Sequence, residues 1–276
     1  MSSHTYFPMK DAPDVSPARD VAVPPIWVVN LKRSVERRDY IVQHLTDLGL
    51  DFELVEAVEG RAISEEEMQR VYSRDEAMRY IGRALTPSEI GCSLSHIRLY
   101  ERMVQQGLDE VIIVEDDVEV FPSFWELLRN RSHFPPDWEL ILLYHGGAQA
   151  SFWKRQKIQA GLELRKFASV ADGTVGYMVT RKGAEKLLAQ AYPIRVPSDG
   201  LTGGYLPTGL HLFGAYPLCM TQHGPGGAAE STMPDAHAAR ITGPDKDSLG
   251  VVGWNLYVAK TGLFNFVRRL SPWAII

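Results

Sequence analysis

The feature that most constrains this chain is Val111-Ile112-Ile113-Val114, four β-branched apolar residues followed at once by Glu115-Asp116-Asp117. A short, wholly apolar run of this kind belongs in a strand buried on both faces, as in the middle of a parallel sheet covered by helices. The acids then stand at its carboxyl end, the edge at which open α/β sheets bind ligands. Three adjacent carboxylates repel one another and resist burial unless a cation or hydrogen-bond donors compensate them. A hard divalent ion, Mg2+ or Mn2+, meets that need, because such ions are held by one or two carboxylates together with phosphate oxygens. Strand alternation carried past the apolar run puts Glu115 and Asp117 on one side and Asp116 on the other. Glu115 and Asp117 are therefore the candidate metal ligands, with Asp116 turned towards a ribose, a backbone amide or a basic partner. The alternative is an acidic turn that closes a strand.

With 276 residues, 45% of them hydrophobic, the chain can bury a full core as one large domain or one domain with appendages. A net charge of −5 argues against nucleic acid as a bulk electrostatic partner. Cys92 and Cys219 are the two cysteines, and neither has the paired spacing of a zinc site. Both read as reduced, which fits the cytoplasm. Residues 1–25 are rich in Pro, Ser and Asp, without an apolar core of signal-peptide length, and read as a disordered leader. No segment approaches the roughly 20 apolar residues that span a bilayer, so a soluble or peripherally attached protein is expected.

Taken in order, Ile26 to Leu31 reads as an apolar strand and Val35 to Leu48 as a helix stopped by Gly49. Arg33, Arg37 and Arg38 gather at the loop and first turn, the wrong end of a helix for positive charge, so either a partner anion or plain solvent exposure accounts for them. Phe52 to Val58 is a second strand closed by Glu59-Gly60, and Ser64-Glu65-Glu66-Glu67 opens an acid-capped helix. Thr86-Pro87-Ser88-Glu89 is the sharpest helix start, with Thr86 as N-cap, Pro87 in the first position and Glu89 closing a capping box. This helix runs to about Gln106, with Glu89, His96 and Tyr100 on a face apart from the apolar stripe. His96 alone reads as a hydrogen-bonded core residue or a catalyst. Trp138 to Tyr144 and Gly173 to Thr180 are further strands, Pro122 to Leu128 and Arg181 to Gln190 further helices. Ser151 to Gln159 is basic and aromatic without a clear period, a solvated connector or a loop closing over sugar or phosphate. From Pro197 to Ala229 the chain is Gly-rich and poorly periodic. The strand–helix alternation is that of a doubly wound α/β domain with a mostly parallel central sheet.

In this order, Asn30-Leu31 with Ser34 and Arg37-Arg38, Ala57 to Gly60, Glu89 to His96 (E-I-G-C-S-L-S-H), Glu115-Asp116-Asp117 and Gly173 to Tyr177 resemble glycosyltransferase family 25. That is the family of lipopolysaccharide and lipooligosaccharide sugar transferases, related to the procollagen galactosyltransferases. The resemblance covers about residues 26–231. It implies a GT-A-type, Rossmann-like nucleotide-sugar-binding domain over residues 26–245, a UDP-galactose or UDP-glucose donor, a glycan or glycolipid acceptor, an inverting reaction and Mn2+ or Mg2+. A sugar-diphosphate leaving group gains negative charge in the transition state, which a metal stabilises. Through the resemblance, Glu115 and Asp117 hold the ion and the late His223, beside Gln222, completes its sphere. The resemblance likewise implies that Asn30, Leu31, Arg33, Arg37, Arg38, Glu59, Glu89, His96, Asp116, Gly173 and Thr174 bind the nucleotide sugar. The resemblance also points to Asp199, in a Pro-x-Asp segment beyond the Tyr177 strand and its helix, as the base for the acceptor hydroxyl.

Two other readings use the same carboxylates or none: a metal-dependent phosphohydrolase of nucleotide or sugar phosphates, and a non-catalytic carbohydrate-binding module. Residues 246–276 interleave aromatic and aliphatic residues with Lys260, Arg268 and Arg269. Such a tail suits either an anionic bilayer surface, as a short amphipathic helix, or the flank of the catalytic domain.

Overall fold

The computed structural model describes residues 23–222 apart from 147, 149 and 172. The leader up to residue 22, His223 and the tail over 246–276 lie outside the described residues. The chain begins with β1 (Ile26–Asn30), α1 (Val35–Asp47), β2 (Glu53–Glu56), α2 (Glu65–Val71), α3 (Arg74–Ile81) and α4 (Pro87–Gln106). It continues through β3 (Glu110–Glu115), β4 (Val118–Val120), α5 (Pro122–Arg129), β5 (Leu140–Leu142), β6 (Ala150–Gln159) and β7 (Leu162–Phe167). Then come β8 (Gly176–Thr180), α6 (Arg181–Ala191), α7 (Ser198–Thr202), β9 (Leu212–Tyr216) and β10 (Met220–Gln222).

Eight strands form one sheet in the order β2-β1-β3-β8-β5-β9-β7-β6, and β10 pairs with β4 in a separate ribbon. β1 pairs in parallel with β2 and β3, and β5 with β9; β8 runs antiparallel to both β3 and β5, and β7 to both β9 and β6. β1, β2, β3, β5, β9 and β6 thus point one way and β8 and β7 the other. This is the mostly parallel α/β sheet of a GT-A-like domain, with one reversed strand at its centre.

β3 is wholly buried through its apolar run, and its alternation serves both faces. Val111 and Ile113 join Trp27 and Val29 in a core roofed by α4 and α6, where Leu94, Ile97 and Leu187 sit. Ile112 and Val114 join Ile26 and Val28 in the opposite core, under Ile41 and Leu45 of α1 and Phe124 and Leu127 of α5. Each such aliphatic side chain contributes about 1.5–3 kcal/mol by leaving water, so the sandwich fixes where the end of β3 falls.

α4 sets the wall beside that end. Thr86 accepts from the Glu89 amide while the Glu89 carboxylate accepts from the Thr86 amide, which is the capping box, and Gly107 stops the helix in the left-handed region at φ 67°. The first turns of α4 cross the chain at Gly60 so closely that a Cβ on Gly91 would lie 2.6 Å from the Gly60 nitrogen, and one on Gly60 1.8 Å from the Pro87 carbonyl oxygen. Both positions therefore require glycine, and the crossing holds Val58 and Glu59 against α4. Ser95 Oγ fastens it by accepting from the Val58 amide at 2.8 Å and donating to the Gly91 carbonyl at 2.7 Å.

Three expectations are corrected. Residues 151–159 are not a connector: they lie in β6, the edge strand of the sheet, which turns at Gly161 (φ 81°) and pairs back onto β7 with register shifts. The stretch after Pro197 contains a helix and two strands, α7, β9 and β10. Strand alternation stops at Glu115, because Asp116 and Asp117 form the turn between β3 and β4.

Candidate active site

The three acids face three different sets of partners. Glu115, the last residue of β3, accepts from Thr174 Oγ1 at 2.7 Å and lies 3.8 Å from His96 Nε2. Asp116 accepts from Asn30 Nδ2, at the end of β1, at 2.6 Å and pairs with Arg37 Nε at 3.0 Å. Asp117 accepts from the other arm of Arg37 and, at 2.8 Å, from Gln222 Nε2 in β10. Asp117 is only 1% exposed and lies in the turn beyond β3, so it does not share a strand face with Glu115 as alternation implied. Arg37, in the first turn of α1, spans Asp116 and Asp117, which accounts for a cation at that end of the helix.

Three carboxylates against one guanidinium leave an excess of negative charge. Burial pushes the Asp117 carboxyl up to about 6, reinforced by Glu115 and opposed by Arg37 and Gln222. Asp116 is also raised by burial, against the pull of Arg37 and Asn30. For Glu115 burial acts in the same sense, but His96, Thr174 and Arg37 together outweigh it and hold the group low. The environment therefore separates neighbouring acids, a pattern found at functional sites. Asp117 Oδ1 is buried without a hydrogen-bond partner. An unpartnered carboxylate oxygen within an over-acidic cluster fits a divalent cation held by Glu115 and Asp117.

Two of the acids, Glu115 and Asp116, line a cavity of about 80 Å3 together with Leu31, Arg33, Arg37, Val58, Glu59, Cys92 and His96, among others. His96 stands in its wall with Nδ1 2.7 Å from Tyr177 Oη, which is in turn 2.8 Å from Tyr100 Oη. Cys92, one helical turn before His96, has Sγ 3.2 Å from Ser198 Oγ, and burial together with Glu115 pushes its thiol up to about 12. Ser198 is also 3.3 Å from Thr174 Oγ1, so the start of α7 closes the ring.

Cys92, His96 and Glu115 bring one ligand atom each to within 4.8 Å of one another. Sequence reasoning set Cys92 aside for want of a second cysteine. The legible signal was Cys92-x-x-x-His96 inside a capped helix, a spacing that puts both side chains on one face.

The remaining candidates lie in different places. Leu31, Arg33 and Glu59 border the cavity, with Arg33 paired to Glu59, whose carboxyl is held low by that contact. Gly173 precedes Thr174 at φ 116°, and a Cβ there would meet the Tyr144 ring at 3.0 Å. Asp199, half-buried in α7, follows Ser198 and acts electrostatically on both Cys92 and Arg83. Glu89 and Arg38 lie outside the cavity lining: Arg83 grips Glu89 with two bonds of 2.6 and 2.8 Å, and Arg38 pairs with Asp39 at the surface. His223 is outside the described residues.

Comparison with known proteins bears on residues 23–202, which match the model of "Glycosyltransferase family 25 (LPS biosynthesis protein)". A glycosyltransferase 25 family member of Aedes aegypti is 32% identical, covering 63% of this chain and 29% of the relative. Procollagen galactosyltransferase 2 of Homo sapiens is 30% identical over 69% of this chain and 33% of the relative. A Bos taurus relative, 27% identical over 70% of this chain and 36% of its own, is described as probable inactive glycosyltransferase 25 family member 3. The chain thus spans about a third of the length of these curated relatives. The matched segment contains the glycine crossing, the capped helix, the three acids and the Gly173–Tyr177 stretch that leads into β8, and by that match the chain belongs to glycosyltransferase family 25.

Proposed function

We propose that this protein transfers a hexose, galactose or glucose, from a UDP-sugar to a hydroxyl of a glycan acceptor, with inversion and with the help of Mn2+ or Mg2+. The observation that carries the reading is the over-acidic cluster at the end of β3, with its unpartnered Asp117 oxygen, beside a cavity bordered by Arg33 and Arg37. Family membership supplies the reaction class. When bound, the ion would neutralise the leaving diphosphate, with Glu115 and Asp117 holding it.

The chain's own residues divide the remaining work. Arg37 neutralises Asp116 and Asp117 and offers a cation to a diphosphate oxygen, and Asn30 fixes the Asp116 carboxylate from the end of β1. Thr174 orients Glu115. A cavity of about 80 Å3 has room for the charged end of the donor together with an ion, and the rest of a nucleotide sugar would extend outside it. Asp199 is the base for the acceptor hydroxyl, at the helix whose first residue touches Cys92 and Thr174. The acceptor we assign is a lipopolysaccharide-type glycan, handled at the cytoplasmic face of the membrane. Among the described residues no helix is long and apolar enough to cross a membrane. Residues 246–276 would supply peripheral attachment.

The test is UDP release from UDP-galactose and UDP-glucose with Mn2+, with and without a lipooligosaccharide-derived acceptor or procollagen. Release that requires the glycan acceptor, with inverted anomeric configuration in the product, supports the reading. Acceptor-independent phosphate release would make the protein a hydrolase. Donor binding without turnover would place it with the relative described as probably inactive.

A further inference from the structure

The group formed by Cys92, His96 and Glu115 has a donor chemistry unlike that of the acids around Arg37. Sulfur, imidazole nitrogen and one carboxylate oxygen are the ligand set of a soft or borderline ion, whereas Mg2+ and Mn2+ prefer oxygen throughout. The helix explains how two of the three converge: Cys92 and His96 are four residues apart in α4, and β3 brings Glu115 opposite them. His96 is 1% exposed, and its Nε2 is buried without a hydrogen-bond partner, aimed at Glu115 from 3.8 Å. A buried nitrogen that faces a carboxylate but makes no hydrogen bond, in an otherwise bonded network, has room for a ligand between the two.

We infer that Cys92, His96 and Glu115 form a binding site for a thiophilic divalent ion, Zn2+ foremost, in the wall of the cavity. Each ligand is held from behind by a separate hydroxyl: Ser198 on Cys92, Tyr177 on His96 Nδ1 and Thr174 on Glu115. Such outer-shell bonds fix ring orientation and tautomer in metal sites, and Nδ1–H donating to Tyr177 leaves Nε2 free to coordinate. Tyr177 passes its own hydrogen bond on to Tyr100. Three protein ligands beside a cavity leave a fourth position for water or a ligand oxygen. Ligation by sulfur takes the thiolate, so ion uptake releases the Cys92 proton to solvent. Glu115 belongs to this set and to the hard-ion set, whereas Asp117 faces Arg37 and Gln222. The two ions therefore compete for one carboxylate.

The inference does not rest on sugar transfer, and its test needs no donor. The metal-free 276-residue chain is titrated with Co2+ and read for the thiolate-to-metal charge-transfer absorption in the near ultraviolet. The band should appear in the wild type and in Cys219→Ser, vanish on addition of Zn2+, and be missing in Cys92→Ser. Tyr177→Phe should keep the band and weaken Zn2+ binding by about 10–100-fold, the usual cost of losing an outer-shell partner. X-ray absorption of the Zn2+-loaded wild type should show one sulfur at about 2.3 Å among nitrogen and oxygen ligands, which decides the matter even if Cys92→Ser fails to fold. An all-nitrogen-and-oxygen shell, the lack of a thiolate band in the wild type, or a band that follows Cys219 would overturn the site.

Discussion

Replacing Asp117 by asparagine keeps the shape of the side chain and removes its charge, which isolates the electrostatic cost of the acid cluster. The Asp117 carboxyl is buried, and that burial, with the Glu115 charge beside it, carries the group up to about 6 in the folded protein. An unfolded chain releases the same proton near pH 3.9. The gap of about two pH units corresponds to roughly 3 kcal/mol. Between about pH 4 and pH 6 the folded state keeps a proton that the unfolded chain has lost, so this group makes stability fall as pH rises through that window and has a constant effect above it. Asp117→Asn has no such proton, and its amide oxygen can still accept from Gln222. Urea unfolding of both proteins, without divalent ions, should therefore show the variant gaining on the wild type by roughly 3 kcal/mol between pH 4 and pH 7. Taking the difference cancels the other titrating groups. Mn2+ should then raise the wild-type midpoint and leave that of the variant unchanged, since the ion offsets a charge the variant lacks. A stability difference that stays flat with pH would refute the placement of Asp117 as a strained, cation-seeking acid.

Other perturbations follow from the same geometry. Asp199→Asn should keep donor affinity and lose turnover by about 100-fold or more in a transfer assay, because a base is needed only as the hydroxyl attacks; full retained turnover would move the base elsewhere. Gly91→Ala adds a methyl 2.6 Å from the Gly60 nitrogen, so although alanine favours helices, thermal unfolding should show a net loss of about 1–3 kcal/mol as the crossing is forced apart. An unchanged midpoint would mean that the crossing is slack. The full chain should co-sediment with phosphatidylglycerol vesicles and a chain ending at Gly253 should not, while equal co-sedimentation of two folded proteins would remove the tail from membrane docking.

How far the sequence discloses this molecule depends on which residues are asked. Val111–Val114 declared a strand buried on both faces because nothing in it tolerates water, and Thr86-Pro87-Ser88-Glu89 declared a helix start because the capping bonds are local. Gly60 and Gly91 were visible as motif letters, but their reason, two backbones in contact, exists only in three dimensions. β6 was missed because an edge strand with register shifts is bonded on one side, so it shows neither the apolar run nor the alternation that marks a strand. The direction of β8 was likewise not legible, since a strand's composition does not encode whether its neighbours run with it or against it. Within the site, the acids were read from their position at a strand end. Their division among Arg37, Thr174 and Gln222 was not, because strand alternation ended two residues earlier than assumed and the partners, Thr174, Arg37 and Gln222, come from 59, 80 and 105 residues away. Cys92 escaped notice because its partners are a histidine one turn away and a carboxylate on another element.

The most direct test of the central claim, that the acids at the end of β3 bind a nucleotide sugar through a divalent ion, is calorimetric titration of UDP-galactose and UDP-glucose into the full chain in Mn2+ and in EDTA. At least one donor should bind about tenfold or more tighter in Mn2+ than in EDTA, with the difference lost in Asp117→Asn. Equal affinity in Mn2+ and EDTA, or an Mn2+ effect that survives in Asp117→Asn, would contradict it.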